Sequence, residues 1–310
     1  MKAGSVKRHS GVCDASAAVF LKRGETRFLL ADDEDQHQTK LRIYDAAESG
    51  GPLEEFGLDN QILQPDAEEP EIDLEGSAWS GDRIFWIGSH SRSRKGKRRP
   101  SRHRLFATEF VDGVPRIVGK PYCTLLDDLS LELKLELDPK LPPKEGGVSI
   151  EGLSGTPSEG ELLIGFRSPL IKGKALLIIL KNAGAVIDTG DAPIFGEPIY
   201  LDLDGLGIRS IDYWPERKSY LLLAGSAGDN KNIFRLMRWS GPLATKPEVL
   251  DGLQFECLNV DEAACPEALL IEPESETVYV LFDEGNRMVN GEKCKDSDEQ
   301  SFHSIALHGL

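Results

Sequence analysis

The stretch Ser149–Pro169, SIEGLSGTPSEGELLIGFRSP, reads as a short apolar strand, a tight polar turn and a second apolar strand. It recurs. Pro157, Pro215 and Pro273 stand 58 residues apart and bring IRSIDYWPERKSYLLLAG (208–225) and PEALLIEPESETVYVLFDEG (266–285) into the same frame. Upstream, LEGSAWSGDRIFWIG (74–88) and ASAAVFLKRGETRFLLAD (15–32) repeat the pattern, which makes five copies. One column down the copies holds Ser16, Glu75, Glu151, Arg209 with Ser210 beside it, and Glu267, at intervals of 59, 76, 58 and 58. The 43 residues after Glu267 and the 16 up to Ser16 make 59 again, so the period closes on itself across the termini. A circular period predicts a closed ring of blades: an all-β, five-bladed β-propeller, with a six-bladed ring as the alternative.

Each unit carries a third apolar run: KLRIYD (40–45), HRLFATEF (103–110), GKALLIIL (173–180), NIFRLMRW (232–239) and SFHSIAL (301–307). Fourth runs at 52–59, 115–123, 195–203 and 246–253 follow the first four units. The fifth has none, and Gly4–Ser10 is free to supply it, which pins the ring shut with four-stranded blades. The chain therefore reads as one domain, 1–310. The enlarged 76-residue interval takes an inserted basic loop, 91–104, and an inserted hairpin at about 125–147, where LSLELKLELD (129–138) alternates as a half-buried strand does. With 31 Gly and 18 Pro and no sustained 3.6-residue period, helices are not expected.

The formal charge of −16 disfavours nucleic acid as a partner. No run is long enough to cross a membrane as a helix and MKAGSVKRHSG lacks an apolar leader, so a cytoplasmic location is expected. Cys13, Cys123, Cys257, Cys265 and Cys294 are odd in number and lack CxxC spacing; they read as reduced, mostly buried thiols. Against the acidic average, SRSRKGKRRPSRHR (91–104) holds eight Lys or Arg in fourteen positions.

In each unit the residues before the first strand and after the second share one open end. This places Glu75 near His90, Glu151 near Arg167, and Glu267 near Asp283, all on one face of the ring. Asp32 and Asp33 leave the equivalent strand of the first unit. In a propeller the first strand lines the axis, so the column converges there. Three carboxylates in a narrow channel raise one another's pKa unless a counter-charge is present. A hard cation supplies one, and carboxylate and hydroxyl oxygens are what Ca²⁺ prefers. Arg209 supplying the charge, or a hydrogen-bonded network tying the blades, is the competing reading. On the same face Arg98, Arg99 and Arg102, with His90 and Asp283, are candidate contacts for a small anionic or phosphate-bearing ligand.

The strings GVCDASAAV, LLADDED, EGSAWSGDRIFWIGSHSR, IEGLSG…GELLIGFRSP and GLGIRSIDY closely resemble an uncharacterised bacterial family, a domain of unknown function related to β-propellers. That resemblance implies a fold and little about activity. The axial order Ser, Glu, Glu, Ser, Glu is also similar to the central calcium site of the soluble calcium-activated nucleotidases, the apyrases. It implies Ser16, Glu75, Glu151, Ser210 and Glu267 as Ca²⁺ ligands and, in a metal-dependent phosphate-ester or nucleotide hydrolase, Asp32, Asp33 and Arg167 as catalytic residues. A non-catalytic binding propeller accounts for the same residues.

Overall fold

A computed structural model describes residues 2–21, 26–32, 38–135, 137–138, 140–228, 233–242, 244, 246–250 and 264–310. After β1 (Lys2–Ser10) the described residues form four-stranded antiparallel sheets in chain order. The first contains β2 (Ala18–Phe20), β3 (Arg27–Asp32), β4 (Lys40–Asp45) and β5 (Glu54–Gly57). The second contains β6 (Leu74–Ser80), β7 (Arg83–Gly88), β8 (Leu105–Val111) and β9 (Val114–Tyr122). The third contains β10 (Ser149–Gly155), β11 (Leu162–Ser168), β12 (Ala175–Leu180) and β13 (Ile199–Leu201). The fourth contains β14 (Gly207–Trp214), β15 (Ser219–Gly225), β16 (Phe234–Trp239) and β17 (Glu248–Val249). In the fifth, β18 (Cys265–Ile271) and β19 (Val278–Asp283) are followed by a small hairpin of β20 (Met288–Val289) and β21 (Glu292–Lys293), and then by β22 (Ser301–His308).

The ring closes as the sequence predicts. β1 is the outermost strand of the fifth sheet, antiparallel to β22 from Lys2 opposite His308 to Ser10 opposite Ser301. The innermost strands pack in a cycle, β2 on β6, β6 on β10, β10 on β14, β14 on β18 and β18 back on β2. This is a five-bladed β-propeller. The apolar core is divided accordingly into clusters between neighbouring blades, among them Ile150, Leu153 and Ile164 of blade three against Ala78, Phe85 and Ile87 of blade two. Each blade buries its faces against two neighbours, so its strands read as continuous apolar runs such as LLIGF and ALLII.

Two expectations fail. The stretch about 125–147 is no hairpin: Leu125–Leu133 is a helix, α2 after the short α1 (Asn60–Leu63), with α3 following at Ala183–Thr189. The alternating leucines include a helical subset. Leu125 and Leu129 lie four apart and are buried with Leu126 between blades two and three, while Leu131, on the other face, is 72% exposed. Part of the alternation, Glu136, lies outside the described residues.

The cysteines are not all reduced. Cys13 and Cys294 form a disulfide across 281 residues, Cys123 and Cys265 are free thiols, and Cys257 lies outside the described residues. The bond joins the entry of blade one to the final blade, beside the strand that closes the ring. Spacing rules look for local pairs, whereas this pair is adjacent only because the ring is closed. Among the described residues no helix is long and apolar enough to cross a membrane.

His9 anchors the closing strand. Its ring lies among Phe28, Tyr44 and Phe302, and its Nε2 is 2.8 Å from Ser304 Oγ. Burial, reinforced by His303, pulls its pKa from 6.5 to about 4. A depressed histidine pKa contributes stability that is complete above about 6.5 and is lost as pH falls toward about 4. Relative to the parent, His9→Gln should therefore lose less stability on acidification, by up to about 1.4 kcal/mol per pH unit in that window. Urea midpoints at pH 7, 6 and 5 check this; parallel pH profiles would show that His9 carries none of the acid sensitivity.

Candidate functional site

Four inner strands share an irregularity at one position. The antiparallel pairing shifts between Leu74 and Gly76, Ile150 and Gly152, Ile208 and Ser210, and Pro266 and Ala268. The residue skipped each time is Glu75, Glu151, Arg209 or Glu267. A bulge leaves the extra residue unpaired and re-aims its side chain, and here four bulges turn one column toward the axis. Blade four thus contributes Arg209 to the column, not Ser210. Ser210 Oγ instead accepts the Leu269 backbone N–H at 3.1 Å and ties blade four to blade five.

One carboxylate oxygen from each of Glu75, Glu151 and Glu267 lies within 4.8 Å of the others. Arg209 Nη1 donates to Glu151 Oε2 at 3.2 Å and to Glu267 Oε1. Arg167 Nη1 donates to Glu151 Oε1 at 2.7 Å, and its Nε to the Ser226 carbonyl at 3.0 Å. Fully ionised, three carboxylates against two guanidiniums would leave one negative charge over. Burial alone would raise Glu151, but Arg167 and Arg209 hold its carboxyl below the usual range. Burial, with Glu151 adding repulsion, pushes Glu75 well above its ordinary value. Burial also raises Glu267, to about 8, against the pull of Arg209. Glu75 Oε2 and Glu267 Oε2 are buried without a hydrogen-bond partner.

Above this cluster opens a cavity of about 600 Å³. Its floor is Glu75, Glu151 and Arg167, and its rim includes the exposed side chains of Arg94, Lys95, Lys144 and Lys295. Asp283 lines it as well, its Oδ1 accepting the Gly285 N–H at 2.7 Å. Residues preceding the first strand and following the second do meet at one mouth. Among the described residues that line it, none is aromatic.

Several predicted contacts are placed elsewhere or are already engaged. Asp32 is buried in β3 and bound by Arg42, Nε at 3.0 Å and Nη2 at 2.8 Å, and does not line the cavity; Asp33 lies outside the described residues. His90 is buried and does not line the cavity: it is 2% exposed, its Nδ1 lies 2.8 Å from the Gly88 carbonyl, and burial lowers its pKa to about 3. Its neighbour His103, ring centroids 5.4 Å apart, is likewise lowered by burial, to about 4. Arg98 is exposed and does not line the cavity. Arg99 and Arg102 do line it, but Arg99 pairs with Glu69, and Arg102 donates to Asp73 at 2.7 Å and to Glu71 at 2.6 Å. Lys97 also pairs with Glu69, and buried Arg104 donates to the carbonyls of Leu63, Gln64 and Pro100. Much of the basic loop is therefore neutralised by the acidic run 66–73, whose sequence DAEEPEID shows the complementary charge.

Sequence reasoning missed Asp14, Asp73, Lys144 and Lys295 at the cavity. A signal for the first two was present: Asp14 and Asp73 stand two residues before Ser16 and Glu75, the spacing that keeps strand residues on one face. Ser16 Oγ donates to Asp14 Oδ1 at 2.5 Å. The five expected calcium ligands do not fit as one shell around the glutamates, because Arg209 stands between Glu151 and Glu267 and Ser16 is turned to Asp14.

Residues 14–109 and 122–264 match a family described as protein of unknown function (DUF3616). No curated protein matches the chain. Among solved structures, a GH43 β-1,3-galactosidase with galactodeoxynojirimycin is similar at 11% identity and TM-score 0.51, over 99% of this chain and 94% of that one. A second GH43 β-1,3-galactosidase is similar at 8% identity and TM-score 0.50, over 95% of this chain and 56% of that one. The Pan2 WD40 domain of Neurospora crassa follows at 8% identity and TM-score 0.42, over 94% and 67%. Likeness at these identities concerns the fold alone.

Proposed function

Because the chain belongs to the DUF3616 family of proteins of unknown function, which carries no activity with it, we propose from the geometry that the mouth of the ring binds a compact anionic ligand bearing phosphate. The observation that carries this reading is the polarity of the 600 Å³ cavity, with exposed Arg94, Lys95, Lys144 and Lys295 above and charged Arg167 and Glu151 below. Cationic side chains at a concave mouth attract anions through low-dielectric walls, and guanidinium forks match phosphate oxygens. A hard cation, calcium, would take the place of the protons that burial favours on Glu75 and Glu267 beneath them, and would also bridge to phosphate oxygens. A nucleotide suits the cavity less well than a smaller phosphate, because among the described residues no aromatic side chain lines it to stack a base.

Phosphate-ester hydrolysis is the second reading, favoured by Arg167 on the cavity floor. With Asp32 engaged by Arg42 and Asp33 outside the described residues, binding is the stronger proposal. The cytoplasmic location also stays a proposal. The Cys13–Cys294 bond weighs against it, since such bonds persist in oxidising compartments.

Arg94→Ser with Lys95→Ser tests the mouth, since both side chains are exposed and their loss leaves the core untouched. The double variant should bind pyrophosphate roughly threefold to tenfold more weakly than the parent, with the gap closing as salt rises. Equal affinities at low salt would remove the rim from the site.

A further inference from the structure

Two histidines stand at the two ends of the basic loop. His90 follows β7 and His103 precedes β8, and their ring centroids are 5.4 Å apart with the planes at 58°. His90 Nδ1 faces the Gly88 carbonyl at 2.8 Å. A carbonyl only accepts, so Nδ1 carries the hydrogen and Nε2 is left with its lone pair. That Nε2 is buried without a hydrogen-bond partner, in a residue 2% exposed. Imidazoles that ligate metals are held in this way, with the far ring nitrogen donating to a carbonyl and the near one kept for the ion.

The backbone at His90 is held at a cost. Its φ is +54°, in the left-handed region, and its N–H donates to the Arg102 carbonyl at 3.1 Å, which draws the two ends of the loop together. Burial keeps both rings neutral at pH 7, so each has a nitrogen lone pair to give. Two imidazoles on one tetrahedral ion, with metal–nitrogen bonds of about 2.0–2.1 Å, place their ring centroids about 5 Å apart, close to the separation seen.

We propose that His90, through Nε2, and His103 hold a transition-metal ion of the zinc class at the base of the basic loop. The site is separate from the glutamate cluster and independent of the anion reading above. Imidazole nitrogen selects zinc-like ions over calcium and magnesium, which take oxygen. Among the described residues no third His, Cys, Asp or Glu lies close enough to make a three-ligand group with them. The ion therefore keeps open positions for water or an anion, and Arg98, Arg104 and Arg92, whose charges act on His103 against that of Asp127, favour the anion. Bound there, it staples the ends of the loop that carries Arg94 and Lys95 to the mouth.

The test is calorimetric titration of the full chain, stripped with chelator, with Zn²⁺ alone as the probe. One histidine-dependent ion per chain is expected, with excess Ca²⁺ failing to displace it. His90→Gln and His103→Gln should each weaken Zn²⁺ by roughly tenfold or more, while His308→Gln, at an exposed position, and Glu267→Gln stay within about threefold of the parent. Loss of binding in Glu267→Gln with both loop-histidine variants unaffected places the ion among the glutamates and overturns the inference, as does a parent that binds no Zn²⁺. Should the histidine variants fail to fold, crystals of the parent grown with Zn²⁺ decide: an anomalous peak between His90 Nε2 and the His103 ring is the expected result, and its absence there contradicts it.

Discussion

Arg209→Met should destabilise the ring by about 3–5 kcal/mol, a fall in Tm of roughly 6–20 °C. Arg209 is the one member of the bulged column with a positive charge, and its Nη1 reaches two buried glutamates from neighbouring blades. Burial works against its charge, yet Glu267 and Glu151 raise its pKa above the usual guanidinium value, so the charge is held strongly in the fold. Methionine fills much of the same volume and leaves Glu151 with Arg167 alone and Glu267 with no cation. Glu267 then lacks its cationic partner in a buried cluster, which costs far more than an exposed ion pair is worth. The gap between parent and variant should widen as pH rises above about 8, because Glu267, raised to about 8 even beside Arg209, ionises in the parent there and holds its proton in the variant. Differential scanning calorimetry at pH 7 and pH 9 measures both effects; a Tm unchanged at both would show that the arginine is not what holds the glutamates together.

The second large effect concerns closure. Removing residues 1–10 deletes β1, strips the outer edge of blade five and unseats His9 from Phe28, Tyr44 and Phe302. It also exposes a sheet edge along β22, a template for association with other chains. The Cys13–Cys294 bond closes a loop of 281 residues and by chain entropy is worth on the order of 5 kcal/mol, with measured values usually 2–5. Cys13→Ser with Cys294→Ser should therefore lower stability by about 2–5 kcal/mol, and the truncation should lower it further. Both should keep a single cooperative transition, since each blade buries its core only against its neighbours. Hydrogen exchange distinguishes the outcomes: a loss of protection spread over all five blades is expected, and fraying confined to blade five would contradict the closed-ring account.

What the sequence made legible was what repeats. Strand, turn and strand recur with a period of 58 or 59, and that period reached across the termini, so closure by the N-terminal strand could be read before any coordinates. What it hid depends on neighbours far apart in the chain. Cys13 and Cys294 meet only in the closed ring. Arg42, one strand over from Asp32, takes up a carboxylate that looked available in a run of acidic residues. The basic loop looked like open positive charge because its partners, Glu69, Glu71 and Asp73, precede it by a whole hairpin. At the axis the column was readable to within one residue: Arg209 and Ser210 are adjacent, and a bulge that strand alternation does not foresee decides which faces inward.

The most direct measurement of the proposed role is a calorimetric titration of the intact chain with pyrophosphate at low ionic strength, with and without Ca²⁺. One site per chain is predicted, tighter in Ca²⁺ and weakened by added salt as screening requires. An absence of binding heat under both conditions, with the protein folded throughout, would contradict the account of the mouth as an anion site.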